Sequence, residues 1–187
     1  MALQRFFIAL VPPEELQAVV QGIKGHFAEH YGSHKAFNSP PHITLQPPFD
    51  WPNDDVDELT DGIRRFAANR ERVAIALRNF GAFPPRVIYV DVLQTQALMA
   101  LQQAISALMD SHYGVTDRRY PHFCPHMTVA FRDLTKSAFN QAWPKFQAKS
   151  FTADFTACRI TLLRHNAQWQ IYQHYPLGPA DQAAYCP

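Results

Sequence analysis

Two short stretches of the chain share a pattern that can move protons. Pro41-His42-Ile43-Thr44-Leu45 and Pro125-His126-Met127-Thr128-Val129 each set a histidine and a threonine two residues apart behind a proline, and the second lies 84 residues after the first. In a strand, residues i and i+2 point the same way, so His42 shares a face with Thr44, and His126 with Thr128. A single His-x-Thr is an ordinary strand tripeptide. Two of them at symmetric positions form a quartet with definite chemistry. Imidazoles with pKa values of about 6.5 can stand on opposite sides of a phosphate, one neutral and accepting a proton, the other charged and donating one. The threonine hydroxyls can donate hydrogen bonds to the non-bridging oxygens and stabilise the charge that grows there. Neither a metal nor a covalent intermediate is required, so the pattern predicts in-line displacement at a phosphodiester, run as hydrolysis or in reverse as ligation.

With these motifs the chain resembles the 2H phosphoesterases, the superfamily of bacterial 2′-5′ RNA ligases and 2′,3′-cyclic phosphodiesterases, whose signature is two H-x-[ST]-x motifs in a duplicated α/β fold. His42-Ile43-Thr44-Leu45 and His126-Met127-Thr128-Val129 match that signature residue by residue. The resemblance extends to Arg5-Phe6-Phe7-Ile8-Ala9-Leu10, to Arg86-Val87-Ile88-Tyr89-Val90-Asp91-Val92 and to Ile160-Thr161-Leu162-Leu163, and so spans nearly the whole chain. It implies a metal-independent phosphodiesterase without cofactors, acting on 2′,3′-cyclic phosphate or 2′-5′ linked nucleotide or RNA ends, with ligation as the reverse reaction. It also implies His126 as base and His42 as acid in cyclic phosphate hydrolysis, the roles exchanging in ligation.

One position departs from the family pattern. Ligase-type members place an arginine five residues after the second histidine, where this chain has Phe131, with Arg132 one residue further on. Regular strand alternation would put Arg132 on the face of His126 and Thr128, within reach of phosphate. Ahead of the second motif, Arg118 and Arg119 could meet a nucleotide phosphate, and Tyr120 or Phe123 could stack on a base. Phe37 has the same place before the first motif.

These residues need elements to hold them. Short β-branched and aromatic runs predict strands at 3–11, 73–79, 86–93, 157–164 and 168–175. Helical spacing appears in Leu16, Val19, Val20, Ile23 and Phe27 behind Pro12-Pro13, and in Val56, Leu59, Ile63 and Phe66 behind Asn53-Asp54-Asp55. It recurs in Leu98, Leu101, Ile105 and Leu108 after Thr95, and in Phe139, Trp143 and Phe146 after Thr135, with Pro144 a predicted kink. The 84-residue offset that relates the motifs also carries strand 3–11 onto 87–95, helix 14–30 onto 98–114 and strand 73–81 onto 157–165. The expectation is an α+β fold of two α/β lobes, one per repeat, related by pseudo-twofold symmetry around a central cleft. No linker interrupts residues 1–187, which are expected to form a single domain.

Composition narrows the classes that remain. With 187 residues, 47% of them hydrophobic, the chain can bury a real core. No apolar run reaches the roughly 18 residues that span a bilayer. The apolar start, stopped by Pro12-Pro13, is too short for a secretory signal, so a cytoplasmic protein is expected. Cys124, Cys158 and Cys186 form no CxxC and cannot all pair within one chain. The net charge of +1 supplies no polybasic field for long duplex nucleic acid. Residues 1–93 carry 9 Lys/Arg against 11 Asp/Glu and residues 94–187 carry 8 against 5, a balance compatible with a small anionic ligand. The expected partners are therefore RNA ends or small cyclic nucleotides as substrate, with no membrane, no obligate protein partner and a monomeric chain.

Two rival readings come from other classes. His26-Phe27-Ala28-Glu29-His30 matches H-x-x-E-H, the inverted zinc-hydrolase signature, on a short amphipathic helix. His122 and His126 also bracket a cysteine, but Pro125 blocks the helix that would align them. The other rival is a noncatalytic nucleotide or RNA-end binding module. Binding alone would not need two symmetric proton carriers.

Overall fold

Two of the four helices open on a threonine cap and the two longest close on a left-handed glycine. The computed structural model describes residues 2–116 and 122–179. Helix α1 (Glu14–Tyr31) opens behind Pro13 with Glu14 and Glu15 in its first turn, where carboxylates complement the helix dipole, and ends at Gly32 in the left-handed conformation, φ 65°. Helix α3 (Gln96–Tyr113) repeats the design, with the Thr95 side chain accepting from the Leu98 N–H and Gly114 closing at φ 64°. Helix α2 (Val56–Ala68) buries Leu59, Ile63 and Phe66. Helix α4 (Lys136–Gln147) is capped by Thr135, and Pro144 lies inside it.

Eight strands form two four-stranded sheets in which every neighbouring pair is antiparallel. The strands are β1 (Leu3–Leu10), β2 (Ile43–Pro52), β3 (Val73–Phe83), β4 (Val87–Val92), β5 (His126–Ala130), β6 (Thr152–Ala157), β7 (Arg159–Asn166) and β8 (Gln168–Pro176). One sheet has the order β2-β1-β7-β8 and the other β5-β4-β3-β6. The offset relates β1 to β4, β2 to β5 and β3 to β7, as the spacing predicts. The lobes, however, do not each consist of one repeat. Strand β3 leaves the first repeat to pair with β4, and β7 leaves the second to pair with β1. Each repeat thus lends its third strand to the other's sheet. The strand expected at 157–164 divides at Cys158, where the chain passes from β6 in one sheet to β7 in the other.

The exchange is matched by the packing of the helices. α1 packs against β5, and α3 packs against both β2 and β3, so helices cross from one lobe to the other. A continuous apolar core runs through Phe6, Ile8, Leu10, Ile43, Leu45, Phe27, Leu77, Val90, Ile105 and Phe146, drawn from both sheets. Removing this apolar surface from water is the main stabilising term. On the opposite face of the β2-β1-β7-β8 sheet lies a small second cluster, Phe7, Ala9 and Leu163, with Trp169 packed on it. Among the described residues no helix is long and apolar enough to cross a membrane.

The exchanged strands generate a prediction. Residues 1–84 contain one whole repeat, yet they hold β1 without β7 and β3 without β4, and such isolated two-stranded ribbons are at best marginal in water. A fragment of residues 1–84 is expected to show no cooperative transition in urea followed by circular dichroism. A sharp transition in that fragment would mean that each repeat folds on its own.

Candidate functional site

His42 immediately precedes β2 and His126 begins β5, the strands at the facing edges of the two sheets, which touch each other. Alternation along these strands is as expected. Ile43 and Leu45 are fully buried with half-buried Thr44 between them, and Met127 and Val129 are fully buried with half-buried His126 and Thr128 alternating. Apolar residues therefore face the core, and the histidines and threonines face away from it.

Both rings are clamped in the same way. His42 Nδ1 lies 2.8 Å from the Pro40 carbonyl oxygen, and His126 Nδ1 lies 2.7 Å from that of Cys124. A carbonyl only accepts, so Nδ1 carries the proton in each case and Nε2 of the neutral ring keeps its lone pair. Pro41 and Pro125, both buried, stand between acceptor and ring, and proline holds the residue before it extended. The clamp is thus written into the local Pro-His dipeptide.

Aromatic walls flank each ring. Phe7 lies 4.7 Å from His42, and Trp169 meets Phe7 edge-on at 4.6 Å. Phe83 and Tyr89 each lie 5.1 Å from His126. Register pairing places Thr44, Ala9, Thr161 and His174 in one row across the four strands of their sheet. The Thr161 hydroxyl is fully buried and lies 2.9 Å from His174 Nδ1. Sequence reasoning missed Phe7, Trp169, Phe83, Tyr89, Thr161 and His174. The period-2 face of β1 was the one signal pointing to Phe7, since residues 7 and 9 alternate with the core set.

The charge environments of the two histidines differ. His42 is pushed down to about 4, chiefly by burial, against the opposing Pro40 carbonyl and with the positive charges of Lys24 and His126 adding to the fall. Burial also lowers His126, but there the Cys124 carbonyl and the carboxylate of Asp91 pull the other way. Burial pushes Tyr89 up to about 12 and raises Cys124, so both stay protonated at neutral pH and neither is an activated nucleophile. Burial lowers His174, with Arg159 adding to the effect.

Other expected residues are placed differently. The strand that would have aimed Arg132 at the site stops at Ala130, and Arg132 adopts a left-handed φ of 58°. Its guanidinium is exposed and lies 4.9 Å from the centre of the Phe131 ring, so the alternation expected there is broken by this turn. Phe123 packs half-buried against the main core, and Phe37 is exposed. Arg118, Arg119 and Tyr120 lie outside the described residues. In the H-x-x-E-H stretch, His26 and His30 stack on each other at 4.2 Å and Glu29 is exposed. Among the described residues no three His, Cys, Asp or Glu side chains converge as metal ligands.

Comparison with known proteins follows the same lines. Residues 12–169 match the family described as the 2′-5′ RNA ligase superfamily. A protein of Geobacillus sp. (strain WCH70), provisionally named a phosphoesterase, is 26% identical over 183 residues, covering 95% of this chain and 99% of that one. A similarly named protein of Bacillus cereus (strain ATCC 10987 / NRS 248) is 25% identical over 178 residues, 93% of this chain and 97% of its own. Among solved structures, TT0787 of Thermus thermophilus superposes with a TM-score of 0.67 at 18% identity, covering 94% of this chain and 99% of that one. Apo LigT of E. coli superposes with a TM-score of 0.66 at 17% identity, covering 95% and 99%. The chain belongs to the 2′-5′ RNA ligase superfamily, the 2H phosphoesterases, and has their two-lobed fold.

The depressed His42 has a consequence for stability. An unfolded histidine takes up a proton at about pH 6.5, whereas folded His42 resists protonation down to about 4. Between those values the unfolded chain binds more protons, so stability falls as pH falls through this window. His126 and His174 are lowered too and act with the same sign. Urea denaturation of a His42→Gln variant, compared at neutral pH and at about pH 4, is expected to show a smaller acid loss than the parent. An identical loss in both would contradict the buried, neutral ring.

Proposed function

We propose that the chain is a metal-independent phosphodiesterase acting on 2′,3′-cyclic phosphate or 2′-5′ linked nucleotide or RNA ends, with 2′-5′ ligation as the reverse reaction. The observation that carries this reading is the matched pair of clamps, which leaves two imidazole Nε2 atoms available beside two threonine hydroxyls. The relatives named as phosphoesterases support the reaction class. E. coli LigT has been solved in complex with 3′-AMP, which supports a nucleotide as the ligand class.

The electrostatics favour a division of labour opposite to the one the family resemblance implies. In the free protein His42 is the ring held neutral, and His126 is the ring with a carboxylate on its side. His42 Nε2 then takes the proton of the attacking water or hydroxyl, and protonated His126 gives one to the leaving oxygen. Thr44 and Thr128 hold the non-bridging oxygens, and the surrounding aromatic walls limit the water that would screen these interactions. Ligation exchanges the two roles. A binding module would have no use for a proton acceptor on one side of the phosphate and a proton donor on the other.

Turnover tests this directly. His42→Ala and His126→Ala are each expected to lower kcat/KM on a 2′,3′-cyclic nucleotide by at least about 10²-fold, the usual contribution of a general acid or base, while excess EDTA leaves the rate unchanged. Near-parental turnover in either variant would remove the two-histidine scheme. An activated aryl phosphodiester separates the roles, because its leaving group departs without a proton. His126→Ala is expected to retain most activity on it and His42→Ala to lose it, and the opposite pattern would restore His126 as the base.

The pH profile is a further check. kcat/KM reports the free protein and is expected to be bell-shaped, with its acid limb at about 4 from His42 and its basic limb below about 6.5 from His126. The limbs of kcat should lie higher, since bound phosphate favours the charged rings. A rate rising steadily to a plateau above about pH 9 would indicate hydroxide or metal-bound water as nucleophile.

A further inference from the structure

The two halves of the site are near-copies, yet one buried charge belongs to only one of them. Lys24 lies on α1 and is 1% exposed. Its ammonium donates to the carbonyl oxygens of Ala36 and Ser39, both at 2.9 Å. Those carbonyls belong to the segment that delivers His42, a short 3-10 helix (Lys35–Asn38) followed by Ser39 and by Pro40, whose own carbonyl clamps the ring. The start of the segment is held from the other motif. Asp133, three residues beyond β5, accepts the N–H groups of His34 at 2.7 Å and Lys35 at 2.9 Å, and also the Ser33 hydroxyl at 3.0 Å. Lys24 therefore fastens the one end that Asp133 leaves loose.

A tie to two carbonyls does not require a charge. A buried ammonium carries a desolvation cost that a neutral amide donor in the same place would avoid. The chain offers neutral residues at the equivalent place in α3. Counting from the shared glycine caps, Gly32 and Gly114, the counterpart of Lys24 is Ser106, and by the motif offset it is Leu108. His126 instead has a carboxylate, since Asp91 is its register partner in β4. Continuing the β1–β2 register beyond Leu10–Ile43 brings Val11, buried and apolar, opposite His42. A cation thus stands on the His42 side and an anion on the His126 side.

We infer that Lys24 is a positioning residue for His42: it fastens the segment carrying that ring and, together with Asp91 across the site, breaks the twofold symmetry so that the two imidazoles bind a proton with unequal affinity before substrate arrives. The inference rests on the two-histidine reading for its catalytic meaning. The groups that face His42 are Lys24 from α1, His126 from β5, the Pro40 carbonyl from its own loop, and the uncharged Phe7 from β1. Burial lowers Lys24 itself to about 8, so it remains mostly charged at neutral pH.

The test reads the rings themselves. Histidine titrations followed by NMR in the free protein, with resonances assigned through His42→Gln and His126→Gln, are compared with those of Lys24→Met, which keeps the volume and removes the charge. The His42 midpoint is expected to rise by about half a unit or more in Lys24→Met, and the His126 midpoint to fall in Asp91→Asn. The acid limb of kcat/KM should move with the His42 midpoint, so that the deficit of Lys24→Met shrinks as pH rises from about 5 to 7. Should Lys24→Met fail to fold, Lys24→Gln, which keeps an amide donor for the carbonyls, is measured in the same way. A His42 midpoint unchanged in either folded variant, or a deficit equal at all pH values, would make Lys24 a structural tie and overturn the inference. Loss of the two-histidine reading would show separately, as turnover that survives His42→Ala while the midpoints still shift.

Discussion

The hydrogen bond from each histidine Nδ1 to the carbonyl two residues before it is the interaction on which the site depends. It fixes the tautomer, and with it which nitrogen faces a substrate. In both copies a buried proline, Pro41 or Pro125, stands between the acceptor and the ring and restricts the residue that supplies the carbonyl. The bond also needs dry surroundings, since water competing for the carbonyl would release the ring. The buried prolines and the fully buried Ile43 and Met127 beside the rings supply that dryness. The same dryness raises the cost of a charged imidazole, so the feature that aims the bases also lowers their affinity for protons.

That conflict explains why the surroundings are unequal. Two identical, buried, neutral rings would provide two acceptors and no donor. The proposed reaction needs a donor as well, and Asp91 lies where it favours the charged form of His126 against the effect of burial. Lys24 acts in the opposite sense on His42. The duplication built two equivalent frames, and single side chains on α1 and β4 then made them different. Symmetry is a property of the backbone here, and function requires that the side chains break it.

Much of this could be read from the chain alone, because it is local. The Pro-His-x-Thr pairs, the Thr95 and Thr135 caps and the apolar stripes of α2 and α3 are each decided within a few residues, and each appears as predicted, whereas in the α1 stripe Val19 is exposed and Lys24 is buried in line with Val20 and Phe27. What escaped is non-local. The exchange of β3 and β7 depends on which strand edges meet, β1 with β7 from opposite ends of the chain and β3 with β4 across the repeat boundary, and alternation within a strand is silent on that. Strand β6 has too few apolar positions to stand out. Arg132 turns away because β5 ends two residues earlier than simple alternation assumes. Lys24 shares the buried stripe of Val20 and Phe27 on α1, but a lysine among apolar residues shows its role only once the 35–40 segment folds over it and supplies its acceptors.

The exchanged strands also bear on how the site can move. If each lobe were one repeat, a single crossing would join them and a hinge could open and close the cleft. With β3 and β7 traded, the chain crosses between the lobes twice, α1 packs on a strand of the second repeat and α3 on strands of the first, and Asp133 ties the second motif's strand to the segment ahead of the first. Rotating one lobe against the other would break the continuous apolar core, which a packed interior does not allow by small steps. The two Nε2 atoms are therefore held at a fixed separation. The proposed reaction places two proton carriers on opposite sides of one phosphorus, where errors of about an ångström are expensive in rate, and a rigid frame serves that requirement better than a closing one.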